Sequence, residues 1–312
     1  MKLASIPGNP IPDGVVAGTI RTPDGVELRF ARLDSTAGKG TVCVFGGRGE
    51  FIEKYFETIG ELRRRGFAVA TMDWRGQGRS SRQLPDARKG HVEDFLEYEI
   101  DLETFMQQVV HRNCPEPYFA FTHSVGGAVV LRAAHAGKRW FERAVLVAPM
   151  IDFPRAWVAR PARALMRNLR LIGCGNRYVP GGNVDGGRTS RFAGNPLTSD
   201  LKRYERNAAL VAHDPTLGIG GPTVAWLDAA FDTIAAFRAR AYAEQIGQPT
   251  LMLGAGADTI VSAAAIARFA ARLPAGSHRL IEGARHEILQ EQDGYREQLW
   301  AAFDAFVPGA SI

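Results

Sequence analysis

At residues 121–127 the chain reads FTHSVGG, in which an apolar strand pattern runs into small residues and then into a helical pattern. A serine at a sharp strand-to-helix turn is typical of a nucleophile elbow, which needs small residues two positions to either side. Gly126 meets that need on one side, whereas Thr122 stands where glycine is usual on the other. The alternative is a serine that caps the start of an ordinary helix. This segment alone leaves both interpretations of Ser124 open.

Candidates for the other groups of a serine-based catalytic site occur further along the chain. The segment LMLGAGAD at 251–258 predicts a strand that ends in a small-residue turn carrying Asp258, and His286 follows the next predicted strand. Ser124, Asp258 and His286 therefore all lie just beyond the carboxyl ends of strands, where parallel α/β sheets bind ligands. Their order is that of α/β-hydrolases, so we expect Ser124 as nucleophile, His286 as base and Asp258 as the group that orients the base.

A glycine-rich turn, FGGRGE at 45–50, comes straight after another predicted strand. Such a turn brings backbone N–H groups close to a developing oxyanion, and we expect the amides of Arg48 and Val125 to be the donors, each worth about 3 kcal/mol in the transition state. The alternative for the turn is phosphate binding. The chain has no G-x-x-x-x-G-K-[ST] motif and the turn lacks the third glycine of a dinucleotide fingerprint, which disfavours a nucleotide site.

Eight short apolar runs rich in β-branched residues predict strands, at 15–20, 26–33, 41–45, 67–72, 118–121, 144–148, 250–253 and 279–281. The first two flank the turn signal RTPDG and predict an antiparallel hairpin at one edge. From residue 41 onward strands alternate with helical patterns, which lie at 55–65, 92–110, 126–136 and 263–273. The predicted fold class is therefore α/β, with a mostly parallel eight-stranded sheet flanked by helices.

The strand alternation stops between residues 149 and 240, where helical patterns separated by Gly, Pro and Asn loops take over. We interpret 149–240 as a helical cap inserted into a core made of 1–148 and 241–312. One cap helix is amphipathic, with an apolar face and a basic face. The apolar face holds Val158, Ala162, Leu165, Leu169 and Ile172, and the basic face holds Arg160, Arg163, Arg167 and Arg170. Such a helix suits an anionic membrane surface or packing on a core, and the pattern leaves both open.

Composition places the chain among ordinary globular proteins. Its 312 residues are 46% hydrophobic and 23% charged, which suggests one large domain or two. No apolar run approaches the roughly 20 residues that span a bilayer, and the first residues show no signal-peptide or transit-peptide pattern. Three widely spaced cysteines without a C-x-x-C pair suit a reducing compartment. We therefore expect the protein in the cytoplasm.

Other partner classes have little support. The net charge of +5 suggests either an anionic partner or a general bias toward arginine. The basic residues lack the aromatic interleaving of a nucleic-acid module, so no nucleic acid is expected. The segment HEILQ at 286–290 has glutamine where H-E-x-x-H needs its second histidine, and no metal or other cofactor is expected.

Several motifs together carry a resemblance to a known family. They are GRGE at 47–50, DWRGQGRS at 73–80, GHV at 90–92, HSVGG at 123–127, NPLTSD at 195–200 and GGPT at 220–223. Over nearly the whole chain this set resembles the serine hydrolases that include monoacylglycerol lipases and lysophospholipases. The chain departs from the family at Gly46-Gly47, where His-Gly is usual, and at Thr122. Neither departure removes a catalytic group.

The resemblance implies a cofactor-independent carboxylic-ester hydrolase that acts through an acyl-enzyme on a lysophospholipid, a monoacylglycerol or another small ester. It further implies that the cap is an apolar lid and that its arginine face contacts phosphate head groups. The basic amphipathic helix leaves peripheral contact with the anionic inner face of a membrane as an alternative. An amide or peptide hydrolase and an acyltransferase stay open, because one triad supports all of these reactions. A binding protein without turnover is the third alternative. The oligomeric state is not predicted.

Four further residues receive structural roles. His123 is next to the serine on a tight turn and is expected to pack away from the serine oxygen rather than act as the base. His91 is expected to be a hydrogen-bonded loop residue. From the family resemblance, Asp73 and Arg75 are expected to brace the loop after their strand.

Overall fold

The computed structural model describes residues 3–35, 37–154, 156–182 and 192–310, without the side chains of residues 156–160. Its strands are β1 (Val15–Arg21), β2 (Glu27–Leu33), β3 (Thr41–Phe45), β4 (Ala68–Met72), β5 (Tyr118–His123), β6 (Arg143–Val147), β7 (Thr250–Ala255) and β8 (Gly276–Ile281). They form one sheet in the order β1-β2-β4-β3-β5-β6-β7-β8. Strand β2 is antiparallel to β1 and β4, and the other neighbouring pairs are parallel. All eight predicted strands and the edge hairpin are confirmed.

Helices connect the parallel strands. They are α1 (Phe56–Arg64), α2 (Leu96–Phe105), α3 (His111–Asn113), α4 (Val125–His135), α5 (Ala156–Leu169), α6 (Leu201–His213), α7 (Val224–Arg238), α8 (Arg240–Glu244), α9 (Ala263–Ala270) and α10 (Asp293–Phe306). A π-helical turn continues α2 over Met106–Val110. A second π turn, Arg170–Cys174, follows α5 and is kinked at Ile172 and Gly173, whose backbone is not helical. Crossovers of this kind cover both faces of a parallel sheet, and the topology confirms the predicted α/β-hydrolase fold.

Helix α2 begins later than the pattern at 92–110 predicts. The Glu97 carboxylate accepts hydrogen bonds from the amides of Glu93 and Asp94, at 2.8 and 3.2 Å. Asp94 in turn accepts the amide of Leu96 at 2.8 Å. These side-chain bonds satisfy backbone donors at the start of the helix, so the residues before Leu96 stay in a turn although they continue the apolar spacing.

Helix α10 is an element that the sequence analysis does not predict. Its buried side chains include Leu299, Trp300 and Phe303, whose spacing is the signal that indicates a helix. The rings of Trp300 and Phe303 lie 5.5 and 5.1 Å from the ring of Phe121 on β5. The helix thus packs against β5, the strand that leads to Ser124.

The central strand β3 is buried on both faces. Val42 and Val44 belong to the apolar cluster on one side of the sheet, while Cys43 and Phe45 belong to the cluster on the other side. Because both sides need apolar side chains, the strand reads as a continuous apolar run instead of an alternating pattern. This rigid strand carries the glycine-rich turn at its carboxyl end.

The described part of the segment between β6 and β7 is helical, as expected, and contains α5 to α8. The predicted division into a core of 1–148 and 241–312 and a cap of 149–240 stays a prediction. Residues 155 and 183–191 of that cap lie outside the described residues, as do the side chains of Val158 and Arg160. Among the described residues, no helix is both long and apolar enough to cross a membrane.

The described arginines of α5 and its π turn form ion pairs with acidic residues of the neighbouring helix α7. Arg163 and Arg167 bond to Asp232 of α7 at 2.9 and 2.7 Å, and Arg170 bonds to Asp228 at 3.1 Å. The two aspartates are one helical turn apart and therefore face the same neighbour. The described arginines thus form ion pairs with α7, and the expectation that they meet phosphate head groups stays a prediction.

The apolar side of α5 is divided between the protein and the solvent. Ala162 and Leu169 pack against a buried cluster that includes residues of α7. Leu165, Leu171 and Ile172, in contrast, are 47%, 76% and 73% exposed. The second half of α5 and the π turn after it therefore present apolar side chains to the solvent.

Candidate active site

Ser124 lies between β5 and α4 in a strained backbone conformation. Its φ of 50° and ψ of −112° place a non-glycine residue where left-handed geometry is costly, by about 1–3 kcal/mol. A Cβ atom on Gly126 would lie 2.6 Å from the carbonyl oxygen of Phe45 and 2.8 Å from that of Gly46, so this position requires glycine. The Ser124 side chain makes no capping hydrogen bond. The turn therefore has the geometry of a nucleophile elbow and not that of an ordinary helix cap.

Thr122 is accommodated because a second glycine follows the elbow. Its side chain is buried inside β5, which pairs with β3 and β6. A Cβ atom on Gly127 would lie 3.0 Å from Thr122 Oγ1 and 2.8 Å from Cβ of Pro149. The absence of a side chain at Gly127 leaves the room that the usual glycine at position 122 would provide.

The structure brings Ser124, His286 and Asp258 together in a hydrogen-bonded chain. His286 Nε2 lies 3.1 Å from Ser124 Oγ, and His286 Nδ1 lies 2.7 Å from Asp258 Oδ2. All three side chains are almost completely buried. These distances match the reach of hydrogen bonds between a nucleophile, a base and the group that orients the base.

The surroundings of Asp258 keep its carboxylate charged. Its Oδ1 atom accepts the amides of Ile260 and Val261 at 2.7 and 3.0 Å. Burial by itself raises the pKa of Asp258, but the hydrogen bonds from His286 and these amides outweigh it and lower the pKa below its ordinary value. A charged carboxylate only accepts, so His286 Nδ1 carries a proton and Nε2 is left to accept the proton of Ser124.

The glycine-rich turn after β3 lies directly against the serine. A Cβ atom on Gly47 would lie 3.0 Å from Cβ of Ser124. The amide of Gly47 donates to the Glu50 carboxylate, and the amide of Gly49 donates to the side chain of Gln77. The amide of Arg48 lies between these two held amides. Val125 is the first residue of α4, so its N–H has no acceptor within the helix.

The loop DWRGQGRS is braced as the family resemblance implies. Asp73 accepts the Arg29 guanidinium at 2.6 Å and the amides of Ile52 and Arg79 at 2.9 and 2.8 Å. Trp74 donates its indole N–H to the carbonyl oxygen of Gly46 at 2.9 Å. These bonds tie the loop to the glycine-rich turn and to the short 3₁₀ helix, Ile52–Tyr55, that follows the turn.

Arg75 braces the same loop from its other side. Its guanidinium bonds to Asp101 at 2.7 Å and to Asp24 at 2.7 Å.

His91 is the hydrogen-bonded loop residue that we expected. Its Nδ1 lies 2.9 Å from the hydroxyl of Thr223, the residue that caps α7. The core loop and the predicted cap are thereby joined near the site.

The two motifs within the predicted cap, NPLTSD and GGPT, contact different parts of the site. Leu197, in NPLTSD, accepts the amide of Glu287 at 2.8 Å, and Thr198 donates to the carbonyl oxygen of Gln290 at 2.7 Å. Gly220, in GGPT, accepts the Arg48 guanidinium at 2.8 Å. One motif thus supports the loop that carries His286, and the other contacts the glycine-rich turn.

Sequence reasoning missed a polar cluster behind the triad. Glu50, Lys54, His123 and Glu287 are buried and bonded to one another. The signal in the sequence was the pair of charged residues at Glu50 and Lys54, one helical turn apart beside an apolar segment. Nothing in their spacing pointed to residues 123 and 287, because those partners come from distant parts of the chain.

Fold and site together define the chain as a serine hydrolase of the α/β-hydrolase fold. Residues 36–293 match the family described as serine aminopeptidase, S33, and the chain belongs to that family. It is similar to lysophospholipase L2 of Escherichia coli (strain K12), with 33% identity over 293 residues that cover 91% of this chain and 85% of that protein. These similarities confirm the family resemblance and the prediction of an ester-cleaving enzyme.

Two further comparisons are consistent with this family and fold. The monoglyceride lipase of Rattus norvegicus is 26% identical over 275 residues, which cover 86% of this chain and 82% of that protein. A solved structure of a thermostable carboxyl esterase from Bacillus coagulans in complex with glycerol superposes with a TM-score of 0.77 at 18% identity. It covers 96% of this chain and 99% of the esterase. At that identity, the similarity shows the fold.

Proposed function

We propose that the protein hydrolyses carboxylic esters through an acyl-enzyme on Ser124. Ser124 Oγ attacks the acyl carbonyl while His286 takes its proton and then gives it to the leaving alcohol, and Asp258 stabilises the imidazolium that forms. A water molecule repeats these steps on the acyl-enzyme and releases the acid. The observation that carries the proposal is the chain of bonds at 3.1 and 2.7 Å from Ser124 through His286 to Asp258.

The amides of Arg48 and Val125 stabilise the negative oxygen of the tetrahedral intermediate. Support comes from their places on either side of Ser124, one in the turn that lies against the serine Cβ and one at the start of α4. The N-terminus of a helix favours negative charge, so the Val125 amide gains from α4 as a whole. Neighbouring amides bonded to Glu50 and Gln77 hold the turn open for this purpose.

Lysophospholipids and monoacylglycerols are the proposed substrate class. Support comes from the names of the relatives, one a lysophospholipase and one a monoglyceride lipase. Both substrates carry one acyl chain on a polar alcohol. Buried apolar side chains of α7 reach the neighbourhood of the glycine-rich turn, where the ring of Trp226 lies 5.2 Å from the Arg48 guanidinium.

Purified protein treated with a fluorophosphonate probe is expected to carry one adduct, on Ser124, when peptides are located by mass spectrometry. In parallel, fatty-acid release is measured from a lysophospholipid, a monoacylglycerol and an amino-acid anilide. We expect turnover of the two lipid esters and little of the anilide. Added glycerol separates hydrolysis from acyl transfer, since an acyltransferase would form a new ester.

Each remaining outcome contradicts part of the proposal. Labelling of Ser124 with preferred cleavage of the anilide would favour an amide hydrolase of the same mechanism. Absence of both labelling and turnover would contradict catalysis itself and favour a binding protein that has this fold.

Contact with an anionic membrane surface is also part of the proposed function, and exposed apolar side chains make that contact. Leu165, Leu171 and Ile172 project from α5 and its π turn, whereas the nearby arginines are paired with Asp228 and Asp232. Apolar side chains at the interface bury surface in the lipid, and the overall positive charge favours anionic lipid. A substrate that dissolves in the membrane then enters from the surface that the cap touches.

Replacement of both Leu171 and Ile172 by serine is expected to weaken binding to vesicles about tenfold or more, because each side chain loses part of a transfer free energy of about 1.5–3 kcal/mol. Co-sedimentation with vesicles containing anionic phospholipid measures the binding. The matched control replaces Val16 and Leu280, which are exposed on the edge strands β1 and β8. Equal binding of the two double variants would contradict the proposed contact, as would unchanged turnover of vesicle-bound substrate.

A further inference from the structure

His123 connects two parts of the candidate active site, the loop that carries His286 and the glycine-rich turn. It is the last residue of β5 and its side chain is buried. Its Nε2 atom lies 3.1 Å from the backbone carbonyl oxygen of His286, and its Nδ1 atom lies 2.8 Å from Glu50 Oε2. The same Glu50 oxygen accepts the amide of Gly47, in the glycine-rich turn. One imidazole ring therefore joins the triad histidine to the turn that faces the serine.

Both ring nitrogens of His123 face atoms that only accept hydrogen bonds. The carbonyl oxygen of His286 has no proton to give, so Nε2 carries one. Glu50 Oε2 also accepts the hydroxyl of Tyr55 at 2.6 Å, and Glu50 Oε1 accepts the Lys54 ammonium at 2.6 Å. With the Gly47 amide these groups make three donors to the Glu50 carboxyl group, which is therefore ionised and only accepts, so Nδ1 carries a proton as well. The contacts thus describe a doubly protonated imidazolium.

The charges around His123 compensate one another. The titratable groups that face it are Glu50, Lys54 and Tyr55 from the glycine-rich turn and the short helix after it, and His286 and Glu287 from the loop after β8. Lys54 bridges the carboxylates of Glu50 and Glu287 at 2.6 and 2.7 Å. Two cations and two carboxylates form a buried cluster without net charge, which is the condition under which buried ions are tolerated.

The direction of the pKa shifts agrees with this proton count. Burial by itself lowers the pKa of His123, but the Glu50 carboxylate outweighs it and raises that pKa above its ordinary value of 6.5. Burial by itself raises the pKa of Glu50, but His123 and Lys54 outweigh it and lower that pKa.

We infer that His123 is a positioning residue of the hydrolase, which as an imidazolium fixes the positions of the triad histidine and the oxyanion turn relative to each other. The inference rests on the proposed function, because this alignment matters only when Ser124 and His286 react. A neutral imidazole has a single N–H and can keep only one of the two bonds. Loss of the second proton therefore frees either the carbonyl oxygen of His286 or the carboxylate of Glu50.

The pH dependence follows from the sign of the shift. The second proton of His123 is present below its raised pKa and is lost as the pH rises through that value. We expect kcat to fall on this alkaline side while KM changes little, because the reacting groups lose their alignment while the bonds of His123 lie behind them. The two hydrogen bonds of His123 are not contacts with the substrate.

Two substitutions separate the two bonds of the ring. The side-chain amide of asparagine reaches the position of Nδ1, so His123→Asn keeps a donor for Glu50. The side-chain amide of glutamine reaches the position of Nε2, so His123→Gln keeps a donor for the carbonyl oxygen of His286. Each variant is expected to lower kcat by about 10- to 100-fold with KM within about threefold, and to remove the alkaline fall, since neither amide titrates. His213→Gln, at an exposed position on α6, is the matched control with an unchanged profile.

Nuclear magnetic resonance of protein labelled with ¹⁵N in its histidines gives a readout that does not depend on turnover. Both nitrogens of His123, assigned with the His123→Asn variant, are expected to be protonated at about pH 7 and one of them to lose its proton at a higher pH. A neutral tautomer at about pH 7 would overturn the inference. So would wild-type kcat and an alkaline fall in both variants. Wild-type protein that neither reacts with the probe nor releases fatty acid would instead overturn the proposed function, whatever the state of His123.

Discussion

Replacement of Ser124 by alanine is expected to lower kcat for ester hydrolysis by about 10⁶-fold, to the level that the rest of the site supports. The variant loses Ser124 Oγ, which lies 3.1 Å from His286 Nε2 and is the atom proposed to form the acyl-enzyme. The variant still binds the substrate and stabilises the oxyanion, but water must replace Ser124 as the nucleophile and is a much poorer one. Turnover is followed by fatty-acid release and labelling by mass spectrometry, and both are expected to disappear.

The fold of the Ser124→Ala variant is expected to stay intact. Alanine meets the same backbone cost as serine at a φ of 50°, and the lost hydroxyl makes no capping bond to α4. The thermal midpoint therefore changes little, which calorimetry checks. Ser277→Ala, on the edge strand β8, is the matched control that keeps full activity. Turnover that survives in Ser124→Ala but not in a second serine variant would mean that another residue is the nucleophile.

Replacement of Asp258 by asparagine is the second large effect, with an expected loss of about 10⁴-fold in kcat. The oxygen of the new amide stays with its two donors, the amides of Ile260 and Val261. Its NH₂ group then faces His286 Nδ1 and donates to it. The proton of the imidazole is forced onto Nε2, which no longer accepts the proton of Ser124.

The measurement for Asp258→Asn is the pre-steady-state rate of acylation, since the wrong tautomer blocks the first proton transfer. Asp304→Asn serves as the matched control, because it breaks an ion pair with Arg65 at 2.6 Å far from the triad and leaves acylation unchanged. A loss of less than tenfold in Asp258→Asn would show that another carboxylate orients His286. Retained reaction with the fluorophosphonate at wild-type rate would contradict the assignment in the same way.

Much of the fold was predictable because its signals are local. Strands such as β3 and β5 are short apolar runs bounded by turn residues, and their alternation with helical patterns implies parallel crossovers. The sites of Ser124, Asp258 and His286 were predictable for a related reason. Each follows the carboxyl end of a strand, and in a parallel sheet those ends meet at one edge.

Other features of the fold could not be read from local patterns. Helix α2 begins at Leu96 because the carboxylates of Asp94 and Glu97 bond to backbone amides, and the apolar spacing does not report those bonds. Helix α10 has a spacing that indicates a helix once Leu299, Trp300 and Phe303 are known to face the sheet. The faces of α5 depend on the aspartates of α7, more than 50 residues away along the chain.

By itself, the sequence determined the class of fold, the family and the three residues proposed to react, because periodicity, turn residues and motif order are properties of neighbouring positions. The tertiary structure decided how those residues are held. It placed Glu50 and His286 on either side of His123, turned the arginines of α5 toward α7, and used Gly127 to make room for Thr122. Such contacts join residues that are distant along the chain, and the free energy of burying a charge or a side chain depends on the surface that it meets.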